Sequence, residues 1–380
     1  MVIYVILLLV IILGILINNN DSNKKGFYCF IVFAMLLIIA GFRDFSLGNY
    51  DTEQIYVPRF TQYMNYSFDR IIDRQSKDTF FYLVVRFICE FTKDLHVVIF
   101  ILSIPFLVSV TAYINKYSKV PWLSFILFLG LGYFGMSFYL LRQVVAMSLI
   151  LVSYRFVLKR DLKMFIITVF AASMFHQTAL IFLIVYLLFY ISFSIKQIIF
   201  LLFGLVISSL SQLSVMQRLM NILNLFLSDT SRYDLYTTRE SGLNYTGFLI
   251  QLCVLICVLV CLRLQHKFDF GAKGTFKGFG LRIKKECFKE KEYNELTLQL
   301  NLLCLSLFFM LLSPIVGEFW RVAGYFGVFS IVLLPNVISG FSLKNNSRII
   351  SMIVATSFTL YFLFVSLGNA NMIPYKFFWM

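Results

Sequence analysis

The stretch LHVVIFILSIPFLVSVTAYI at residues 95–114 decides the fold. Its one side chain that titrates near neutrality is His96, in the second position. A helix of about twenty residues rises 1.5 Å per residue and crosses the ~30 Å hydrocarbon core of a bilayer. Outward from this run, similar apolar stretches lie at 1–17, 27–42, 121–138, 143–157, 163–175, 178–193, 197–214, 246–264, 296–316, 322–340 and 349–366. They predict an all-α, polytopic integral membrane protein of about 12 spans (range 10–13). Over the 380 residues, 60% are hydrophobic and 14% charged, with mean hydropathy +0.84. A soluble domain carries roughly a quarter of its residues charged, so a soluble enzyme is excluded. A membrane β-barrel is excluded too, because its strands would alternate polarity over ~10 residues.

The chain reads as one membrane domain, 1–380, with three notable loops. The 163–193 region is interrupted by Phe175-His176-Gln177-Thr178 and reads as two short spans meeting at His176. Segment 79–92 carries Tyr82, Arg86 and Glu90 every four residues on an apolar background. That pattern suits an amphipathic helix lying in the interface within the outer loop 43–94. A second outer loop is expected at 215–245 and a basic cytoplasmic loop at 265–293. The net charge of +14 would suggest nucleic acid in a soluble chain. Here almost all of the excess falls in loops on one side once the N-terminus is set outside, as cytoplasmic retention charge does. No nucleic-acid partner is expected, and membrane lipid is. The N-terminal run has no basic residue ahead of it and reads as an uncleaved anchor. Cys253, Cys257 and Cys261 fall i, i+4, i+8 on an apolar run and read as small hydrophobes.

Polar groups at the edge of the apolar zone are costly and mark function. On this topology they converge on the outer face. Arg43 and Asp44 close the second span, and Asp51 and Tyr56 follow. Arg142 and Gln143 open the fifth. His176 sits at the hairpin turn, and Glu318 and Arg321 lie between the tenth and eleventh. An arginine at a helix end can simply snorkel to the head groups, and Glu318 can be no more than the i, i+3 partner of Arg321. Together, however, permanently charged arginine forks match phosphate oxygens. A lipid diphosphate with its head group outside is the natural ligand. No ligand-spaced His/Asp/Glu set, Walker loop, GxSxG or HExxH is present, so neither a metal nor a cofactor is expected.

At these residues the sequence resembles the EpsG-type, Wzy-like polysaccharide polymerases of bacterial membranes. Three segments carry the resemblance: Ala40-Gly41-Phe42-Arg43-Asp44 with Gly48, Asp51 and Tyr56; Leu141-Arg142-Gln143-Val144-Val145-Ala146 followed by Phe175-His176; and Ile373-Pro374-Tyr375-Lys376-Phe377. One residue more than the family pattern separates Gly48 from Asp51, so Asp44 is an alternative carboxylate. The resemblance implies a GT-C-like, metal-independent, inverting glycosyltransferase. It joins undecaprenyl-diphosphate-linked oligosaccharide repeat units, as donor and acceptor, on the outer face of the bacterial cytoplasmic (inner) membrane. The product would be O-antigen, capsule or exopolysaccharide. Arg43, Arg142, Gln143, Arg321, Glu318 and Tyr56 are then expected at the diphosphate or sugar, and His176, Asp44 or Asp51 at the acceptor hydroxyl. Alternatives are a ligase using the same donor and a flippase for lipid-linked sugar. Whether a chain-length regulator binds stays open. A cysteine placed at Lys277 should resist a membrane-impermeant thiol reagent in intact cells; ready labelling there would invert the topology.

Overall fold

A computed structural model describes residues 1–17, 21–49, 51–74, 78–211, 245–271 and 280–380. The loop expected at 215–245 lies almost wholly outside them. The chain divides into two compact units, one of Met1–Ile184 with Pro335–Met380 and one of Val185–Leu334.

The first unit opens with α1 (Val2–Leu13) and α2 (Ser22–Gly41), followed by short helices α3 (Val57–Met64) and α4 (Phe68–Arg74), then α5 (Thr79–Phe91) and α6 (Leu95–Tyr117). Next come α7 (Pro121–Gly130), α8 (Tyr133–Tyr139), α9 (Leu141–Leu158) and α10 (Leu162–Phe175). Aspartates start several of these helices by capping free N–H groups. Asp21 accepts from the amides of Asn23 and Lys24, Asp94 from that of His96, and Asp161 from that of Met164. α7 and α8 are bent by 51° at a break where Gly132 takes φ +81, a left-handed conformation that suits glycine. α9 is buried over most of its length and packs against α6 and α10. The C-terminal tail closes the unit. The amide of Asp44 donates to the Lys376 carbonyl (3.0 Å), that of Gly48 to Asn371 (3.2 Å) and that of Phe378 to Phe42 (3.1 Å).

The second unit contains α11 (Val185–Leu188), α12 (Ile195–Ser211), α13 (Tyr245–Leu264), α14 (Glu290–Leu311) and α15 (Phe319–Gly327). Its axis is α14, buried from Leu296 to Leu307. Asn301 and Ser306 hold its neighbours. The Asn301 amide donates to the carbonyls of Ile191 (2.7 Å) and Leu188 (3.3 Å) and accepts from Gln197 (2.9 Å). Ser306 donates toward Gln251 and the Ala323 carbonyl. In a setting poor in water each of these polar groups needs its partner inside the protein. α16 (Ser330–Ile338) crosses the boundary between the units, and α17 (Lys344–Tyr361) belongs to the first.

Apolar helices occur in all twelve expected stretches. Among the described residues six are long and apolar enough to cross a membrane, or eight if each of two bent pairs is one span. The shorter apolar helices fall at Val2–Leu16, Leu162–Phe175, Gln177–Leu188 and Ile195–Ser209. Two details add to the expected picture. The basic loop at 265–293 contains an antiparallel strand pair, β1 (Phe268–Gly271) with β2 (Gly280–Ile283), the one such sheet among the described residues. Phe268 and Ile283 face each other across it and are both buried, while Asp269 pairs with Arg263 and Lys284. The 79–92 helix forms, and its polar stripe is graded, with Glu90 exposed, Arg86 half-buried and Tyr82 enclosed. Tyr82 is fully buried in edge-to-face contact with Tyr63 at 5.1 Å, because α3 packs across that face. Asn301→Ala should lower stability by about 1–3 kcal/mol, the cost of stranding buried polar groups. An unchanged melting midpoint in detergent would show that these bonds hold nothing.

Candidate functional site

Among the described residues four α-helices follow an aspartate, and one of those aspartates, Asp78, does not cap. Asp78 precedes α5 with φ 54, ψ 33, and its carboxylate makes no bond to its own helix. Left-handed backbone in a residue other than glycine is uncommon and costs energy, although aspartate tolerates it better than most. What Asp78 does instead defines the site. Its Oδ2 accepts from Arg142 Nη1 at 2.8 Å and lies 3.0 Å from His176 Nδ1. Its Oδ1 accepts from the Gln177 amide at 3.1 Å. That last bond caps the helical turn Gln177–Ile184, which starts where α10 ends.

The hairpin of α9 and α10 explains the meeting. Arg142 stands at the N-terminus of α9, and His176 is the residue on which α10 stops. Antiparallel packing brings those two ends together, and Asp78 reaches them from the 43–94 loop. The aspartate side chain is only 5% exposed, that of Arg142 23% and that of His176 17%. Tyr56 and Tyr82 flank the arginine, each ring centroid 5.9 Å from its guanidinium carbon. Burial pushes the Asp78 carboxyl up. The His176 hydrogen bond and charge, the Arg142 charge and the Gln177 amide outweigh it, and the pKa ends below the ordinary carboxylate value. Burial drives the Tyr56 phenol upward against the pull of Arg142, so it stays protonated. An ionised carboxylate only accepts hydrogen bonds, so the proton in this contact sits on His176 Nδ1 and the ring's other nitrogen, Nε2, is left for a further partner.

Of the residues expected in the site, Arg142, His176 and Tyr56 come together here. Gln143 follows Arg142 but is buried in the packing of α9. Asp51 opens the π-helical turn Asp51–Tyr56 that carries Tyr56. Asp44 bonds the amide and hydroxyl of Ser46 within its own loop. The Ser46 hydroxyl, followed by its amide and then the charges of His96 and Lys376, holds the Asp44 carboxyl below its ordinary value despite some burial. Arg43 needs a correction. The expected diphosphate ligand is 1% exposed, and its guanidinium donates to the carbonyls of Ala40, Ser137 and Phe138 and lies over the Phe138 ring. The Ser137 and Phe138 carbonyls lie just ahead of Arg142 in the chain. Arg321 and Glu318 lie in the second unit as an ion pair of 3.0 Å. Among the described residues no three His, Cys, Asp or Glu side chains are grouped so as to hold a metal ion.

Asp78 escaped the sequence reading. It is one of several carboxylates in a polar loop, with nothing periodic about it. Its only signal is its place directly before an apolar helix, where an aspartate ordinarily serves as a cap.

The fold and site define a polytopic helical membrane protein with a buried arginine–carboxylate–histidine cluster at one end of a helical hairpin. The EpsG family model matches residues 26–377, and the chain belongs to this family of polysaccharide polymerases. No curated protein and no solved structure matches it.

The Asp78 carboxyl is depressed in the folded state, so the stability it contributes is complete above the unfolded value of about 3.9 and is lost as pH falls through the lower folded value. Asp78→Asn should therefore melt below the native protein at pH 7, by about 1–3 kcal/mol. The gap should narrow below about pH 4, where the native carboxyl begins to protonate. A gap independent of pH would mean that the carboxylate charge is not what binds the cluster.

Proposed function

We propose that the protein is a glycosyltransferase that polymerises undecaprenyl-diphosphate-linked oligosaccharide repeat units on the outer face of the cytoplasmic membrane. The single observation that carries this reading is the sharing of Asp78 by Arg142 and His176. One carboxylate orients both a permanent cation and an imidazole whose Nε2 can take a proton. Transfer of a glycosyl group from a lipid diphosphate to a hydroxyl needs both functions.

The step balances with these groups alone. The acceptor hydroxyl gives its proton to His176 Nε2, and its oxygen bonds the anomeric carbon of the donor. The bond from that carbon to the diphosphate oxygen breaks, and the diphosphate leaves with the electron pair. Arg142 has donors beyond the Nη1–H that it gives to Asp78, and they meet the charge that grows on the leaving oxygens. Asp78 stabilises the imidazolium that forms and keeps the ring in register. Displacement in one step inverts the anomeric centre. Tyr56 and Tyr82, both buried, flank the guanidinium and hold it in place. In this scheme the shorter apolar helices complete a GT-C-like bundle of about twelve spans. The 43–94 loop then faces outward and the 265–293 loop faces the cytoplasm, in line with its basic charge.

Arg142→Ala should express and insert normally yet polymerise ~10²–10³-fold more slowly, the usual cost of one preorganised charge stabiliser. Arg142→Lys should recover part of the rate, since it keeps the charge and loses the planar fork. Arg348→Ala, an exposed arginine elsewhere, is the control. Normal polymer from Arg142→Ala would sink the assignment. Finished polymer stranded on its carrier in a deletion strain, in place of single repeat units, would point to a ligase.

A further inference from the structure

A polymerase of lipid-linked repeat units handles two diphosphates at once. The donor's must leave, whereas the acceptor's must stay intact. The Arg142 cluster suits the first, because it pairs a cation with a proton acceptor. The second calls for cations to grip it, and a cluster of arginines lies in the same outer loop.

Four arginines gather around Tyr66 and Tyr82. The Arg70 guanidinium lies 4.1 Å from the Tyr66 ring centroid and that of Arg74 5.4 Å from it. Arg74 Nη1 also donates to the Tyr66 hydroxyl at 3.0 Å. Arg86 Nε donates to the Tyr66 carbonyl at 2.6 Å, and Arg59 Nη1 to the Tyr82 hydroxyl at 2.9 Å. Arg86 is neutralised by Glu90 at 2.7 Å. Among the described residues Arg59, Arg70 and Arg74 form no ion pair and are exposed. Arg70 and Arg74 stand i, i+4 on α4, where like charges repel and weaken a helix. Asp69 and Asp73 share that helix, but among the described residues neither stands at ion-pair distance from the three arginines. Stacking on a ring face leaves the edge donors of a guanidinium free, the geometry that grips phosphate oxygens. On the same helix Phe68 and Ile72 are exposed, Ile72 by 54%, and offer apolar surface to a prenyl chain. Tyr82 joins the two sites, bonded to Arg59 and 5.9 Å from the Arg142 guanidinium carbon.

We propose that the Arg59–Arg70–Arg74 face is a second diphosphate-binding site that holds the acceptor's lipid diphosphate while the Arg142 site discharges the donor's. The assignment to the acceptor rests on the polymerase reading; the existence of a second phosphate site does not. The same chemistry would also grip a phospholipid head group, so the test must separate the two.

The full-length protein in neutral phosphatidylcholine nanodiscs is titrated with undecaprenyl diphosphate. Two equivalents should bind. Arg142→Ala should remove one, and the double variant Arg70→Ala/Arg74→Ala the other, weakening it at least about tenfold through loss of charge-assisted hydrogen bonds. A lysine pair at 70 and 74 should restore part of the affinity, which separates lost charge from misfolding. A single equivalent, or two that survive the double variant, would overturn the proposal. Displacement of the second equivalent by phosphatidylglycerol at ordinary membrane content would make the site a head-group anchor and overturn the acceptor assignment. If both equivalents behave as expected but the native protein makes no polymer from lipid-linked repeat units, the polymerase reading fails and the second phosphate site stands.

Discussion

The Asp78 carboxylate ties together parts of the chain that are 64 and 98 residues away from it. An ionised carboxylate in a largely enclosed place is costly unless hydrogen bonds and opposite charge surround it. Asp78 has Arg142, His176 and the Gln177 amide, and its lowered pKa records that they outweigh the burial. The dependence runs both ways. Without the carboxylate, Arg142 would be a half-buried cation with no counter-ion. His176 would lose the bond that selects its tautomer, and the turn after α10 would lose its cap. Asp21, Asp94 and Asp161 show what an aspartate at a helix start does when only folding is at stake: each bonds its own helix.

Arg43 works at one remove. Its enclosed guanidinium takes up carbonyls of Ser137 and Phe138, where α8 ends and the chain turns into α9. The C-terminal end of a helix carries partial negative charge, and a cation there is favourable. Thr52 donates to the same Phe138 carbonyl. The tail is part of this arrangement, because Phe377 is bridged to Arg43 and Tyr375 donates to the Ile39 carbonyl at 3.0 Å. The segments of the family resemblance at 40–56 and 373–377 thus meet one another, and through Ser137 and Phe138 they set the start of the helix that presents Arg142.

The membrane character, the helices and the break at His176 were legible in the sequence, because twenty apolar residues in a row admit few structures other than a spanning helix. Arg142 and His176 were legible for a related reason. Each is a polar residue at the edge of an apolar run, where its cost demands an explanation. Charge and periodicity are local, and they sufficed for these. They could not separate Arg43 from Arg142. Both are arginines at helix ends, and the difference lies in which carbonyls happen to surround them. Asp78 was invisible for the complementary reason. It shares the outer loop with Asp69 and Asp73, and its place before an apolar helix points to a cap rather than to a site.

The sequence by itself therefore determined the solvent of this protein, its class of secondary structure and the arginine and histidine around which a diphosphate chemistry can be built. The tertiary structure alone decided which carboxylate joins them, which arginine is enclosed and which is presented, and that Tyr82 faces inward between two arginine groups. The physical reason is range. Hydrophobic burial is written into every short window of the chain. The partner of a charge is fixed only when residues such as Arg142 and His176 have each been brought to Asp78, at 2.8 and 3.0 Å.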